Sequence, residues 1–275
     1  MTVRTLAVIL FDVAEAAWLV EKAAEVALGF DSHILALHPF SPVIWAGGLD
    51  GEAVYFASMM EWEEKESARI RAQVDEVLRR NGLRGEYRAQ TELYGAEPFL
   101  MAGVRGADAV ILGETADHSP DGRLLAQRVV RDAGRPALVL GKQARLRAPA
   151  RRMVIGWTDT REATRAAHDA LGFAAKGAEI SVVSFHARAG SIGEGLTGRD
   201  DLAAALNRAG FKVEVADQMS SGDELPLSLT RFAQEREADL LATGAFGHSQ
   251  LYDLLVGAVT RELMDYPDVP VLLSR

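Results

Sequence analysis

The strongest constraint in this sequence is that its order of short apolar runs and helical stripes is completed once and then begins again. The stretch GFDSHILALHPF (29–40) is matched by KGAEISVVSFHA (176–187), GADAVILGE (106–114) by EADLLATGA (237–245), and GRPALVLGK (134–142) by YPDVPVLLSR (266–275). A period of about half the chain is a tandem domain duplication and not a solenoid. The stretch KQARLRAPARR (142–152), with five basic residues and one proline, reads as the connector, so domains are expected at 1–143 and 150–275. At 275 residues, each part is long enough to bury a core of its own.

Within each half, strands and helices alternate. In the first half, strands are expected at 5–11, 32–37, 87–90, 109–112 and 137–140, with helices at 14–28, 52–80, from Glu97-Pro98 onward and at 124–131. The second half repeats the order, with strands at 153–157, 179–185, 212–216, 240–243 and 269–273 and helices at 161–175, 200–208, 226–236 and up to Met264. The strand segments are continuously apolar, which is how strands buried on both faces read. Alternation of this kind predicts an α/β fold, a mainly parallel sheet with helices on both faces.

Charge and composition narrow the function. The net charge of −9 argues against general nucleic-acid binding, which needs clustered Lys and Arg facing phosphates. There is no cysteine, so disulfides, thiolate metal sites and cysteine nucleophiles are excluded, in keeping with a reducing compartment. The apolar run at 6–11 ends at Asp12, too short for a signal sequence or a membrane span, and a cytoplasmic location is expected.

The stretch most like a ligand site is LLATGAFGHSQLYDLLVGAVT (240–260). A strand ending at Thr243 runs into Gly244 and Gly247, and a helical run follows. Such a junction holds anions, because glycines let backbone N–H groups converge and a helix N-terminus adds partial positive charge. The same glycines also suit a tight strand-to-helix turn. The pattern of a glycine, two residues, a glycine, nine residues and a glycine is completed by Gly257, followed by Ala258, Val259 and Thr260.

With that pattern and the closing strand VPVLLS, the second half resembles a universal stress protein domain, and the whole chain the tandem form of that family. The resemblance implies two doubly wound domains, each a five-stranded parallel sheet of order 3-2-1-4-5 flanked by four helices. It implies an adenine nucleotide, ATP or AMP, with Mg accompanying ATP and no cofactor strictly required. The implied contacts are Thr243, Gly244, Gly247, His248, Ser249, Gly257, Ala258, Val259 and Thr260 for phosphate and ribose, and Thr158 or Asp159 for adenine. Two positions depart from the family: Ala258 stands where Ser is frequent, and Thr158 where an Asp is usual, with Asp159 one step on. In the first half only Gly113 and Gly122 follow the fourth strand, at a spacing that cannot form the cradle, so that half is expected to be a non-binding copy despite Asp12. The implied role is regulatory or protective and not that of a robust enzyme, with a decayed, non-binding interaction scaffold as the alternative and a slow ATPase as a third, less favoured reading. The two halves would form an intramolecular pseudo-dimer, open to homodimerisation and an unidentified protein partner, with neither nucleic acid nor membrane among the partners.

Other motifs have plainer readings. His248-Ser249 imitates a nucleophile pair, but adjacent loop residues rarely point together, and a capping Ser is simpler. Gly193, Gly195 and Gly198 spell G-x-G-x-x-G with Asp217 beyond, yet they follow the preceding strand by too long a gap for a dinucleotide fingerprint and read as a loop over a ligand. The acidic run at 61–66 reads as a solvated helix face, and Trp157 as either core or pocket wall.

Overall fold

The computed structural model describes residues 3–40, 52–90, 95–186, 197–220, 224–246 and 257–275. Gly193, Gly195, Gly247, His248 and Ser249 lie outside these residues, as does most of the loops expected at 38–51 and 187–199. The first half runs β1 (Thr5–Ile9), α1 (Val13–Phe30), β2 (His33–His38), α2 (Glu52–Asn81), β3 (Gly85–Ala89), α3 (Ala96–Val104), β4 (Ala109–Gly113), α4 (Pro120–Asp132) and β5 (Ala137–Leu140). The second runs β6 (Ala150–Gly156), α5 (Arg161–Ala170), a 3₁₀ turn (Leu171–Phe173), β7 (Ala174–His186), α6 (Thr197–Arg208), β8 (Lys212–Met219), α7 (Leu225–Glu235), β9 (Leu240–Gly244), α8 (Ala258–Asp265) and β10 (Val271–Ser274).

The ten strands among the described residues join one sheet in the order β3-β2-β1-β4-β5-β10-β9-β6-β7-β8. Each half therefore shows the order 3-2-1-4-5, and every pairing is parallel except β5 with β10, where Ala137 to Val139 meet Leu273 to Val271 antiparallel. Side chains alternate across a strand, and the core divides accordingly. Leu6 and Val8 of β1 join a cluster with α1, α2, α5 and α6 through Leu19, Ile70, Ala163 and Leu206. Ala7 and Ile9 join the opposite cluster, with α3, α4, α7 and α8 through Leu100, Val129, Leu229 and Leu263. Each face thus carries the same helices from both halves. With the central strands antiparallel, the halves are related by an approximate twofold axis normal to the sheet.

Helix starts follow ordinary capping chemistry. Asp12 accepts from the Glu15 N–H at 2.8 Å to open α1, Ser119 accepts from Gly122 with Pro120 in the first turn of α4, and Thr160 accepts from Ala163 to open α5. Two local expectations are corrected. The stretch at 161–175 is not helical throughout: α5 stops at Ala170, the 3₁₀ turn follows, and β7 begins at Ala174, which pairs with Ala150. The acidic run of α2 is not wholly solvated. Glu61 and Lys65 pair in solvent, whereas Glu63 is buried against His38 and Glu66 accepts from the Val13 N–H.

Candidate functional site

In a doubly wound sheet, ligands sit outside the carboxyl ends of the strands where the crossovers change face. Here those places are the ends of β1 and β4 in the first half and of β6 and β9 in the second. Because β5 and β10 are antiparallel, the two crevices open on opposite edges of the sheet.

The second-half crevice has β9 and α8 as one wall. Gly244 ends β9 against the first turn of α5, where a Cβ would lie 2.8 Å from the Ala163 nitrogen and from the Glu162 carbonyl carbon. Its lack of a side chain is therefore a packing requirement as well as a turn requirement. The Ala245 N–H then donates to the Ser274 carbonyl at 2.8 Å. Phe246 follows in a left-handed conformation with φ 51°, and its N–H donates to Thr260 Oγ1 at 3.2 Å. Thr260 is buried. Its hydroxyl oxygen thus ties the exit of β9 to the first turn of α8.

Gly257 opens α8 at φ 103° with no side-chain cap. The N–H groups of Ala258, Val259 and Thr260 precede the helical ladder, so the helix leaves them free for an acceptor. The exposed Arg261 folds its guanidinium back, Nε donating to the Gly257 carbonyl at 3.1 Å, which puts a cation beside this terminus. N–H groups without a partner inside the helix, a helix dipole and an adjacent guanidinium form an environment suited to an anionic group.

β6 and the turn after it make the second wall. The Trp157 N–H donates to the Val183 carbonyl at 2.8 Å, and the indole is buried with its Nε1 unpartnered among the described residues. Trp157 is thus core, with a buried donor just past the carboxyl end of β6. Thr158 is exposed, its hydroxyl 3.2 Å from that of Thr160. Asp159 is also exposed, and its carboxylate lies against Gly198 in the first turn of α6, 3.0 Å from where a Cβ would stand. The first turn of α8 and the turn carrying Thr158 and Asp159 therefore sit at the carboxyl ends of the neighbouring strands β9 and β6. Three of the expected residues, Gly247, His248 and Ser249, are not among those described.

Sequence reasoning missed the polar cluster at the ends of β7 and β8. His186 Nε2 lies 2.8 Å from Asp217 Oδ1, and the buried Arg199 donates to the same oxygen at 2.7 Å and to the Ala216 carbonyl at 3.3 Å. Burial works against the Asp217 charge, but the Arg199 and His186 hydrogen bonds outweigh it and hold the carboxyl below its ordinary range. Asp217 is thus engaged by Arg199, one residue past Gly198, and not placed as the ribose-binding acid of a dinucleotide fingerprint. One signal was present: both second strands end in histidine, His38 and His186, and each meets a carboxylate.

The first-half crevice is filled from within. Glu15 is buried; it accepts from the Phe11 N–H at 2.7 Å and pairs with His118 Nε2 at 2.9 Å. A Cβ at Gly113 would overlap the Glu15 carboxylate. Asp12, the first-half counterpart of the adenine position, is used to cap α1. Among the described residues, no group of three His, Asp or Glu side chains converges as a metal site, and no helix is long and apolar enough to cross a membrane.

Residues 149–275 match the model of the Universal stress protein family. The second half thus carries a segment that matches the universal stress protein family. A universal stress protein of Synechocystis is 28% identical over 181 residues, which are 61% of this chain and 58% of that relative. The chain therefore spans less than two thirds of the curated relative it matches. A universal stress protein of Archaeoglobus fulgidus superposes with a TM-score of 0.71 at 13% identity, covering 100% of this chain and 97% of the other. A putative universal stress protein of Pseudomonas aeruginosa gives 0.53 at 15% identity, covering 99% and 93%. At these identities the two structures establish the fold, which extends over both halves of this chain.

Proposed function

We propose that the whole chain is a universal stress protein that binds an adenine nucleotide, ATP or AMP, in its second-half crevice and acts in the cytoplasm as a nucleotide-responsive regulatory or protective protein without robust catalysis. The observation that carries this reading is the open first turn of α8: Gly257 leaves the helix without a side-chain cap, Arg261 adds a cation, and Ala258, Val259 and Thr260 present N–H groups. Phosphate would be held there, and the buried Trp157 Nε1 supports a ligand acceptor at the opposite wall. Each exposed amide or dipole contribution is about 1 kcal/mol or less, so modest affinity is the expectation. Any Mg would accompany ATP on its phosphates.

Calorimetry with ATP and AMP tests the reading. Heat of binding in the natural protein, lost in Gly247→Val and in Gly257→Val, is the expected result; no heat at millimolar nucleotide would sink it. The engagement of Thr158 with Thr160 supports a second reading, a non-binding interaction scaffold. That reading gains if Thr158→Asp with Ala258→Ser creates binding that the natural protein lacks. Slow ATP hydrolysis is the least supported role, since Asp159 lies against α6; phosphate release unchanged by His248→Ala and Asp159→Ala argues it away. Homodimerisation and a protein partner stay part of the proposal, read by sedimentation and by capture.

A further inference from the structure

We propose that Thr115, in the first half, is a positioning residue for the second-half crevice: it holds the carboxyl end of α8 and thereby the first turn of that helix, which faces the ligand. Thr115 is almost wholly buried. Its N–H donates to the Met264 carbonyl at 2.9 Å, and its hydroxyl donates to Asp265 Oδ1 at 2.6 Å. The last carbonyls of a helix have no partner within it, and here one of them is capped from the other half of the molecule. Asp265 is an acid at the negative end of a helix dipole, an unfavourable placement. The Thr115 hydroxyl, with Arg123 at 4.0 Å, offsets it.

The helix depends on such support. At eight residues, α8 is well short of the roughly 12–15 residues at which isolated helices become even marginal in water. Tertiary contacts must hold both ends. Thr260, bonded to Phe246, holds the first turn, and Thr115 holds the last. With only two turns between them, release of one end frays the other.

The brace is itself fixed. The His118 N–H donates to the Thr115 carbonyl at 3.1 Å, His118 pairs with the buried Glu15, and Arg123 donates to the Ala116 carbonyl at 2.6 Å. The segment after β4 is the counterpart of the glycine loop after β9. In the first half it has become a strut that holds the other half's ligand-facing helix. The two copies divide the work: the segment after β4 supports the helix that follows β9.

The test uses the full chain without nucleotide and reads hydrogen exchange in Thr115→Val and Thr115→Ser. Thr115→Val is expected to speed exchange several-fold at Phe246 and residues 258–261 while β1 and β4 keep wild-type protection, and Thr115→Ser is expected to behave as wild type. Unchanged exchange in Thr115→Val, or acceleration spread evenly through the core, overturns the proposal. If Thr115→Val does not fold, Asp265→Ala is read by the same criteria. The affinity consequence rests on the nucleotide reading above: AMP binding weakened several-fold by Thr115→Val and restored by Thr115→Ser supports positioning. If the natural protein gives no heat with either nucleotide, the functional reading fails, and the exchange result alone decides the brace.

Discussion

Thr260 and Gly244 look alike from the sequence, each a residue suited to a phosphate site, yet each has a mechanical duty in the fold. The Thr260 hydroxyl oxygen accepts from the Phe246 N–H. Thr260→Val leaves that donor unpartnered and is expected to cost about 1–3 kcal/mol of stability, as for a buried group losing its acceptor; urea unfolding measures it, with Thr260→Ser retaining most of the stability. Gly244 lets β9 approach the backbone of Glu162 and Ala163. Gly244→Ala is expected to cost about 1–3 kcal/mol by overpacking, so lost ligand binding in that variant reports the fold before it reports the phosphate. The spacing that marks these residues was legible. Their partners were not, because a spacing does not say which backbone passes close by.

At the scale of elements, α2 shows how periodicity separates what a charge run hides. Glu63, Glu66, Ile70, Val74 and Val77 recur three or four residues apart and turn inward, while Glu61, Glu64 and Lys65 face solvent. His38, at the end of β2, is thereby enclosed: its Nδ1 meets the Leu10 carbonyl and its Nε2 meets Glu63, both at 2.7 Å. Two acceptors call for two N–H groups, hence an imidazolium. Burial opposes that charge, but the Glu63 hydrogen bond, the Leu10 carbonyl and the charges of Glu63 and Glu66 raise the ring above its ordinary 6.5. The folded-state value lies above the unfolded one, so the His38 contribution is complete below that 6.5 and is lost as pH rises through the folded value. Urea midpoints are therefore expected to fall with rising pH in this window, and the fall should shrink in His38→Gln; parallel curves for the two proteins would refute the assignment.

For the whole molecule, the join at β5 and β10 decides which way each crevice opens and which helix end meets which loop. Beside it, a Cβ at Gly141 would overlap the Pro267 carbonyl oxygen, so the halves approach through a glycine. Gly141→Ala is expected to lower stability by about 1–3 kcal/mol and to lower the thermal midpoint. A differential scan matching wild type would show that this approach is not a constraint. The interior of the first-half crevice is decided at the same scale, since Glu15 from α1 and His118 from beyond β4 meet across 103 positions of sequence.

Local pattern by itself determined the alternation of ten strands with eight helices, the doubling of the chain, and the glycine spacing at Gly244, Gly247 and Gly257, because hydrophobic period, capping residues and turn glycines act over a few residues. The tertiary structure alone decided that the two sheets fuse edge to edge, that the crevices face opposite ways, that Arg199 and His186 converge on Asp217, and that Thr115 reaches Asp265 across 150 positions. These are contacts between segments far apart in the chain. Complementary surfaces set them when the strands pair, and local pattern does not name the partners.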